Sequence, residues 1–379
     1  MKKQKILHII CITLVLAGIR LLAGCSAESQ NDIPDLPQRQ VCFMLFSPNF
    51  AEMPAESSRR ALPNGYVVYD DLSPQIPIGS ASIKCFLTKT DIDFQGDITY
   101  GKVGDTYSWN SKLPLDEGVY YVYGFMPANE ANKITLTNRV GTDYSQGAVI
   151  TIDGINTMSA YDICAIVGVK GSKSKLPISE IDLRNQLGVF EYNAENDGDY
   201  VYLLIDHLYA ALHLRMMINS TYNQLRTIKL TKLSLKSKVK KTAQVVATFT
   251  ANSSSPLSVN TTSSDNGEGA EVVIYDGEQK NEEKELKESE TEMLDFLACT
   301  AALAENNQFV LKTKYNVYDK NGNLIRKGCE AMNTLSLPTN MTLNPGQKFV
   351  FNLTVNPTYL YVLSEPDLDN PVVTVTTTN

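Results

Sequence analysis

The chain reads as an all-β protein built from two β-sandwich domains in tandem behind a removable leader. Three observations lead there. Short runs rich in Val, Ile, Thr and Tyr recur along the sequence, cut by Gly and Pro, which is the punctuation of strands and turns. Tyr (19) outnumbers Phe (12), a balance that suits the half-buried surface of a sheet. Residues 309–318 alternate cleanly and pass through Asp319-Lys320-Asn321-Gly322-Asn323 into Leu324-Ile325-Arg326, the strongest hairpin signal in the chain.

Lys2, Lys3 and Lys5 open the sequence with positive charge, and residues 6–22 form an apolar run broken by Thr13 and Arg20. That run is too short and too interrupted for a stable membrane span and fits a secretory signal. It ends in Leu22-Ala23-Gly24-Cys25, which resembles the lipobox of bacterial lipoproteins. Residues 1–24 are then the signal peptide, Cys25 takes a diacylglycerol, and the polar segment 25–40 is a lipidated tether to a membrane. More than one acyl chain is needed to hold it there, since each buried methylene contributes about 0.8 kcal/mol. About 355 residues remain, enough for about two domains with real cores.

Residues 41–46, Val-Cys-Phe-Met-Leu-Phe, are apolar on both faces of a strand, and such a strand has to be covered on both sides. Residues 47–64 follow with three prolines, Ser57, Ser58 and the pair Arg59-Arg60, an exposed loop of the kind proteases nick. Strands are expected at 66–69 and 83–87. A hairpin is expected from Thr99 and Tyr100 into 106–109, with Gly101 and Gly104 at its turn. The strongest strand of this half is 118–127, followed by 148–152 and 163–169. Residues 177–198 are mostly polar and end in Asn196-Asp197-Gly198, a turn signal. The expected division is therefore an N-terminal sandwich over 41–198 and a C-terminal one over 199–379.

In the second half, 200–218 is a long apolar run: either one strand, or a strand ending near His207 with a short turn of helix before the next. Strands are expected at 225–235, 245–250 and 348–355, and a last one at 371–379. In that last strand Val373 and Val375 face one way and Val372 and Thr374 the other. Residues 251–269 read as loop. Residues 276–292 mix Glu and Lys densely and read as a solvated loop, or as a surface helix with pairs such as Glu283 and Lys287.

The formal charge of −8 and pI near 5.1 argue against a nucleic-acid partner, and there is no basic patch with interleaved aromatics. Beyond the leader and Cys25, the cysteines are Cys42, Cys85, Cys164, Cys299 and Cys329. Their wide spacing and the lack of CxxC indicate neither zinc nor a disulfide framework. Most are expected as small buried hydrophobes, with a Cys299–Cys329 bridge open if the two are adjacent. His207 and His213, six apart on one strand, would sit about 20 Å from each other and cannot share a metal unless the chain bends. No GxSxG, HExxH, P-loop or dinucleotide fingerprint occurs. Asp70-Asp71 and Asp91/Asp93 read as solvated surface. No enzyme, cofactor or metal site is expected.

A resemblance rests on several stretches in order. They are the lipobox, the Arg-bearing loop after a first strand, the stretch GVYYVYGFMP from Gly118 to Pro127, and LIDHLYAAL from Leu204 to Leu212. The Asn-Gly hairpin follows, then the ending Asn344-Pro345-Gly346-Gln347 … Glu365-Pro366-Asp367-Leu368-Asp369-Asn370-Pro371. Together they resemble the fimbrillin family, the lipoprotein-derived type V pilins of Bacteroidales. Each motif alone is weak, and their order over nearly the whole chain carries the likeness. It implies two transthyretin-like β-sandwich domains, with the precursor lipidated on Cys25 and placed on the outer membrane surface. A trypsin-like, Arg-specific protease cuts after Arg59 or Arg60, with Ala61, or Arg60 for the earlier cut, as the expected new N-terminus. The first strand, with Val41, Phe43 and Leu45, then leaves, and a C-terminal strand of a neighbouring subunit, with Val372, Val373 and Val375, fills the groove. That last strand is less apolar than 41–46, so residues 359–363 are a second candidate contributor.

Such a chain serves as a shaft subunit of a surface fimbria that polymerises with other fimbrial subunits, for adhesion to a host or bacterial surface ligand. The alternatives are an uncut anchor, a tip adhesin, or a surface glycan-binding lipoprotein that stacks sugars on Trp109 and exposed tyrosines.

Overall fold

The computed structural model describes residues 40–47, 51–52, 67–68, 82–88, 92–103, 106–112, 118–131, 133–139, 144–181, 183, 189–192, 200–237, 241–251, 253, 255, 257–263, 269–300, 308–336, 342–356 and 372–376. The fold is all-β. In chain order the strands of the first half are β1 Gln40–Ser47, β2 Ala51–Glu52, β3 Val67–Val68, β4 Ser82–Thr88, β5 Ile92–Val103, β6 Thr106–Lys112, β7 Gly118–Met126, β8 Lys133–Asn138, β9 Ala148–Asn156, β10 Met158–Ser159, β11 Cys164–Ser172 and β12 Val189–Tyr192. Those of the second half are β13 Tyr200–His207, β14 Ala210–Ile218, β15 Thr227–Ser237, β16 Thr242–Phe249, β17 Leu257–Ser263, β18 Glu271–Asp276, β19 Lys284–Glu285, β20 Thr291–Cys299, β21 Gln308–Tyr318, β22 Leu324–Ser336, β23 Gln347–Asn356 and β24 Val372–Thr376. Among the described residues two short α-helices, α1 Ser220–Leu225 and α2 Gly277–Lys280, and a 3-10 turn at Ile178–Glu180 interrupt them. The side chain of Asn219 caps α1 by accepting from the amides of Thr221 and Tyr222, two of the donors a helix start leaves unpaired.

Four sheets organise three cores. The largest sheet runs β11-β13-β1-β6-β5-β4-β7, with β12 beyond β7 and β3 against β1. It also closes on itself, because Cys164 and Ala165 of β11 pair with Met126 and Phe125 of β7. Its strands alternate, so one set of side chains points inward. Val41, Phe43, Leu45, Ile83, Cys85 and Leu87 are among those that fill the enclosed core. The opposite set, including Phe46, Phe86, Tyr123 and Phe125, packs on a four-stranded sheet ordered β17-β16-β9-β8. In that sheet β16 buries every second residue, Ala243, Val245, Ala247 and Phe249, the period-2 pattern of a one-sided strand.

The third core lies between two more sheets, β10-β20-β14-β23 with β2 and β24 on β23, and β18-β15-β21-β22 with β19 on β15. Leu212, Leu214, Phe349 and Phe351 meet Leu233, Leu235, Phe309 and Leu311 there.

The sheets do not divide at 198/199. Strands β13, β16 and β17, all beyond residue 198, complete the sheets of the first two cores. The apolar run 200–218 is two strands rather than one. Strand β13 ends at His207, Leu208 and Tyr209 bend the chain, and β14 begins the next sheet. That two-residue crossing links the two sheets, and no helical turn is needed. Residues 251–269, expected as loop, contain β17, and 276–292, expected as a solvated loop or a surface helix, contain α2, β19 and the start of β20. Glu283 bonds Asn316 and Tyr318 and pairs with Lys229 across the sheet. The cysteines Cys85, Cys164, Cys299 and Cys329 are buried thiols outside any disulfide, so the Cys299–Cys329 bridge does not form.

Candidate functional site

The seat of β1 is the feature that joins the sequence motifs to the fold. The strand lies inside its sheet, parallel to β13 (Phe43 opposite Val201, Leu45 opposite Leu203) and antiparallel to β6 (Val41 opposite Ser111, Phe43 opposite Trp109). Val41 and Leu45 are 1% exposed and Phe43 3%, all three pointing into the enclosed core. Phe46 turns the other way, also 1% exposed, and its ring stands 6.4 Å from that of Tyr202. The strand is thus covered on both faces, as its composition requires. Four such side chains contribute about 1.5–3 kcal/mol each on burial, as an upper estimate.

A strand held this way has two hydrogen-bonding neighbours rather than one, and taking it out would open a slot between β13 and β6. Such a slot exposes unpaired backbone on both sides with apolar side chains beneath it, which is unfavourable in water.

Trp109 faces this seat. It is buried at 3% exposure, with its ring 5.3 Å from that of Tyr100 in an edge-on arrangement. Burial removes Trp109 as a stacking platform for sugars, the part of the glycan-binding alternative that rested on it. The signal was present in Thr-Tyr-Ser-Trp-Asn-Ser-Lys, where polar Ser108 and Asn110 flank an inward aromatic.

Of the other expected site residues, Cys25, Arg59, Arg60 and Ala61 lie outside the described residues. Val372, Val373 and Val375 lie on β24, antiparallel to β23, with Val373 opposite Val355 and Val375 opposite Leu353. Among the described residues β24 pairs with β23 alone, so it occupies a sheet edge.

Two histidine clusters carry titratable groups, and the bend at Leu208 and Tyr209 places them in different sheets. His207 Nδ1 is 3.0 Å from both carboxylate oxygens of Asp162 and 3.7 Å from Cys164 Sγ. The imidazole donates from Nδ1 to Asp162. Burial, and the neighbouring Asp162 and Asp206 charges, push the Cys164 thiol well up, so it stays protonated. The carboxylate and thiol face the same nitrogen, which is not a nucleophile, base and orienting group in sequence. The donor set of Asp162, Cys164 and His207 has metal-ligand chemistry, yet their mutual hydrogen bonds already account for it. The trio fastens the start of β11 to the end of β13, where Cys164 and His207 are register partners.

His213 Nδ1 lies 3.5 Å from Asp295 and 3.9 Å from Glu292. Glu292 is held by Arg215 Nε at 3.0 Å. Burial, then Lys348, lowers the His213 pKa, against the raising effects of Asp295 and Glu292.

No family model matches the chain. No curated protein matches it either. Solved structures of low identity do. One is a candidate cell adhesion protein from Bacteroides fragilis, with TM-score 0.45 and 10% identity over 90% of this chain and 98% of that one. Another is a fimbrial protein from Bacteroides vulgatus, with TM-score 0.33 and 12% identity over 88% of this chain and 98% of that one. A third is a candidate adhesin from Bacteroides ovatus, with TM-score 0.31 and 10% identity over 92% of this chain and 98% of that one. Among the described residues no helix is long and apolar enough to cross a membrane.

Proposed function

We propose that the chain is a structural subunit of a cell-surface fimbria, assembled by strand exchange and used for adhesion. The precursor is exported and held at the outer membrane through lipid on Cys25. An Arg-specific, trypsin-like protease cuts after Arg59 or Arg60, leaving Arg60 or Ala61 as the new N-terminus. Strand β1 then leaves, and a neighbouring subunit's C-terminal strand, with Val372, Val373 and Val375, takes its place.

The observation that carries this reading is the position of β1. A strand paired on both sides, with Val41, Phe43 and Leu45 at 3% exposure or less, is followed in sequence by the dibasic pair Arg59-Arg60. A replacement strand restores both the backbone hydrogen bonds and the apolar contacts. The edge position of β24 supports its role as donor, since an edge strand leaves by breaking one ladder rather than two.

Deleting residues 371–379 tests the proposal. The truncated full-length precursor is expected to be secreted and folded, judged by circular dichroism, and to form no fibres on electron micrographs. Fibres of normal length from the truncated chain would contradict the donor role and leave the uncut anchor or the tip subunit as the reading.

A further inference from the structure

The seat of β1 contains a polar atom that the resident strand leaves unsatisfied. Nε1 of Trp109 is buried and has no acceptor among the described residues. Trp109 stands directly across from Phe43 on one side and from Tyr100 on the other. The inward residues of β1 are Val41, Phe43 and Leu45, and those of β13 are Val201, Leu203 and Ile205, so neither strand offers a side-chain acceptor. A buried donor without a partner is destabilising, whereas pairing it restores the lost interaction. The resident strand therefore fills the seat by shape and leaves one polar requirement unmet.

We propose that this seat is matched to a strand carrying a threonine hydroxyl where Phe43 now stands, so that Trp109 selects the occupant. This rests on the strand-exchange reading above. The occupant is Val372–Thr376 of a second copy of this chain, with Thr374 opposite Trp109 and Val372 inward beside it. Its sequence, Val-Val-Thr-Val-Thr, puts hydroxyl-bearing residues two apart on one face of a strand. With Thr374 at the place of Phe43, its 5 residues span positions 41–45, of which 42–45 pair with β13 in the resident strand. The Thr374 hydroxyl accepts from the indole N–H, and the alternate valines supply apolar contact. Trp109 acts here as a specificity residue of a docking seat.

Two experiments test this. In the full chain, Phe43→Thr and Phe43→Val differ by a hydroxyl against a methyl in nearly the same shape. An ordinary apolar core favours valine. With Trp109 present, F43T is expected to melt above F43V by about 2 °C or more, and Trp109→Phe is expected to reverse that order. F43T melting below F43V in both backgrounds would overturn the role given to Trp109.

The second experiment offers fluorescein-labelled peptide 371–379, or its Thr374→Val version, to trypsin-treated full chain and follows anisotropy. The threonine peptide is expected to bind on the order of tenfold more tightly, with the preference lost in W109F. Equal binding of the two peptides overturns the selection and leaves strand exchange standing. Binding of neither overturns strand exchange and the proposed occupant together.

Discussion

Phe43→Ala is the perturbation that most directly weighs the seat of β1. Phe43 is 3% exposed and lies in the enclosed core between Trp109 of β6 and Val201 of β13. Truncating a buried phenylalanine removes its transfer free energy and leaves a cavity, together about 3–5 kcal/mol. In a chain of this size that corresponds to a melting shift of roughly 6–10 °C. Urea unfolding of the uncut precursor, followed by far-ultraviolet circular dichroism, reads the loss. Emission of Trp109, the sole tryptophan, should change in the same transition, since the indole faces the truncated side chain. Val119→Ala is the control, at a side chain 49% exposed, and is expected to stay within about 0.5 kcal/mol. Once the chain has been cleaved and β1 has left, F43A and wild type are expected to behave alike. If F43A is no more harmful than V119A in the uncut precursor, β1 does not fill the enclosed core and the reasoning fails.

Stability should fall as pH drops through the ordinary histidine range. The folded pKa of His213 is lowered by burial and by Lys348 and Arg215, with Asp295 and Glu292 opposing. Its contribution is complete above the unfolded value near 6.5 and is lost as pH falls, because the unfolded histidine takes up its proton first. Urea midpoints of wild type and His213→Gln between pH 7.5 and 5.5 should converge at the acid end. A difference that is independent of pH would contradict the assignment. Cys85, whose thiol burial pushes up to about 12, and the equally buried Cys164 and Cys299 should resist iodoacetamide in the folded chain and react after unfolding. Peptide mass spectrometry reads both states, and labelling of Cys85 in the folded protein would count against its buried place.

Much of the architecture was legible where one local pattern was decisive. The double-faced apolar run of β1, the tyrosine-rich β7 and the hairpin through Asp319 and Gly322 all carry period-2 or turn chemistry that few other structures accommodate. Asp319 indeed accepts from the amides of Asn321 and Asn323 in that turn. Strand β17, Leu-Ser-Val-Asn-Thr-Thr-Ser, was read as loop because its composition is that of a loop. Its pairing with β16 along the whole strand is a tertiary contact that local propensity does not carry. The partner sheet of the strand after residue 198 is hidden from the sequence for a similar reason. A polar stretch ending in Asn196-Asp197-Gly198 marks a turn, but which sheet the next strand joins is set by long-range register. Strand β13 pairs back to β1 and β11. The surroundings of Trp109 could not be seen from the sequence, because only the register places the indole opposite Phe43 and Tyr100.

The most direct measurement is the N-terminus of the chain in fibres sheared from intact cells, by Edman sequencing and intact mass. The expected result is a chain beginning at Ala61 or Arg60, with no peptide from 41–46 in the washed fibre. A full lipidated chain beginning at Cys25 in polymerised material, with 41–46 still present, would contradict strand exchange.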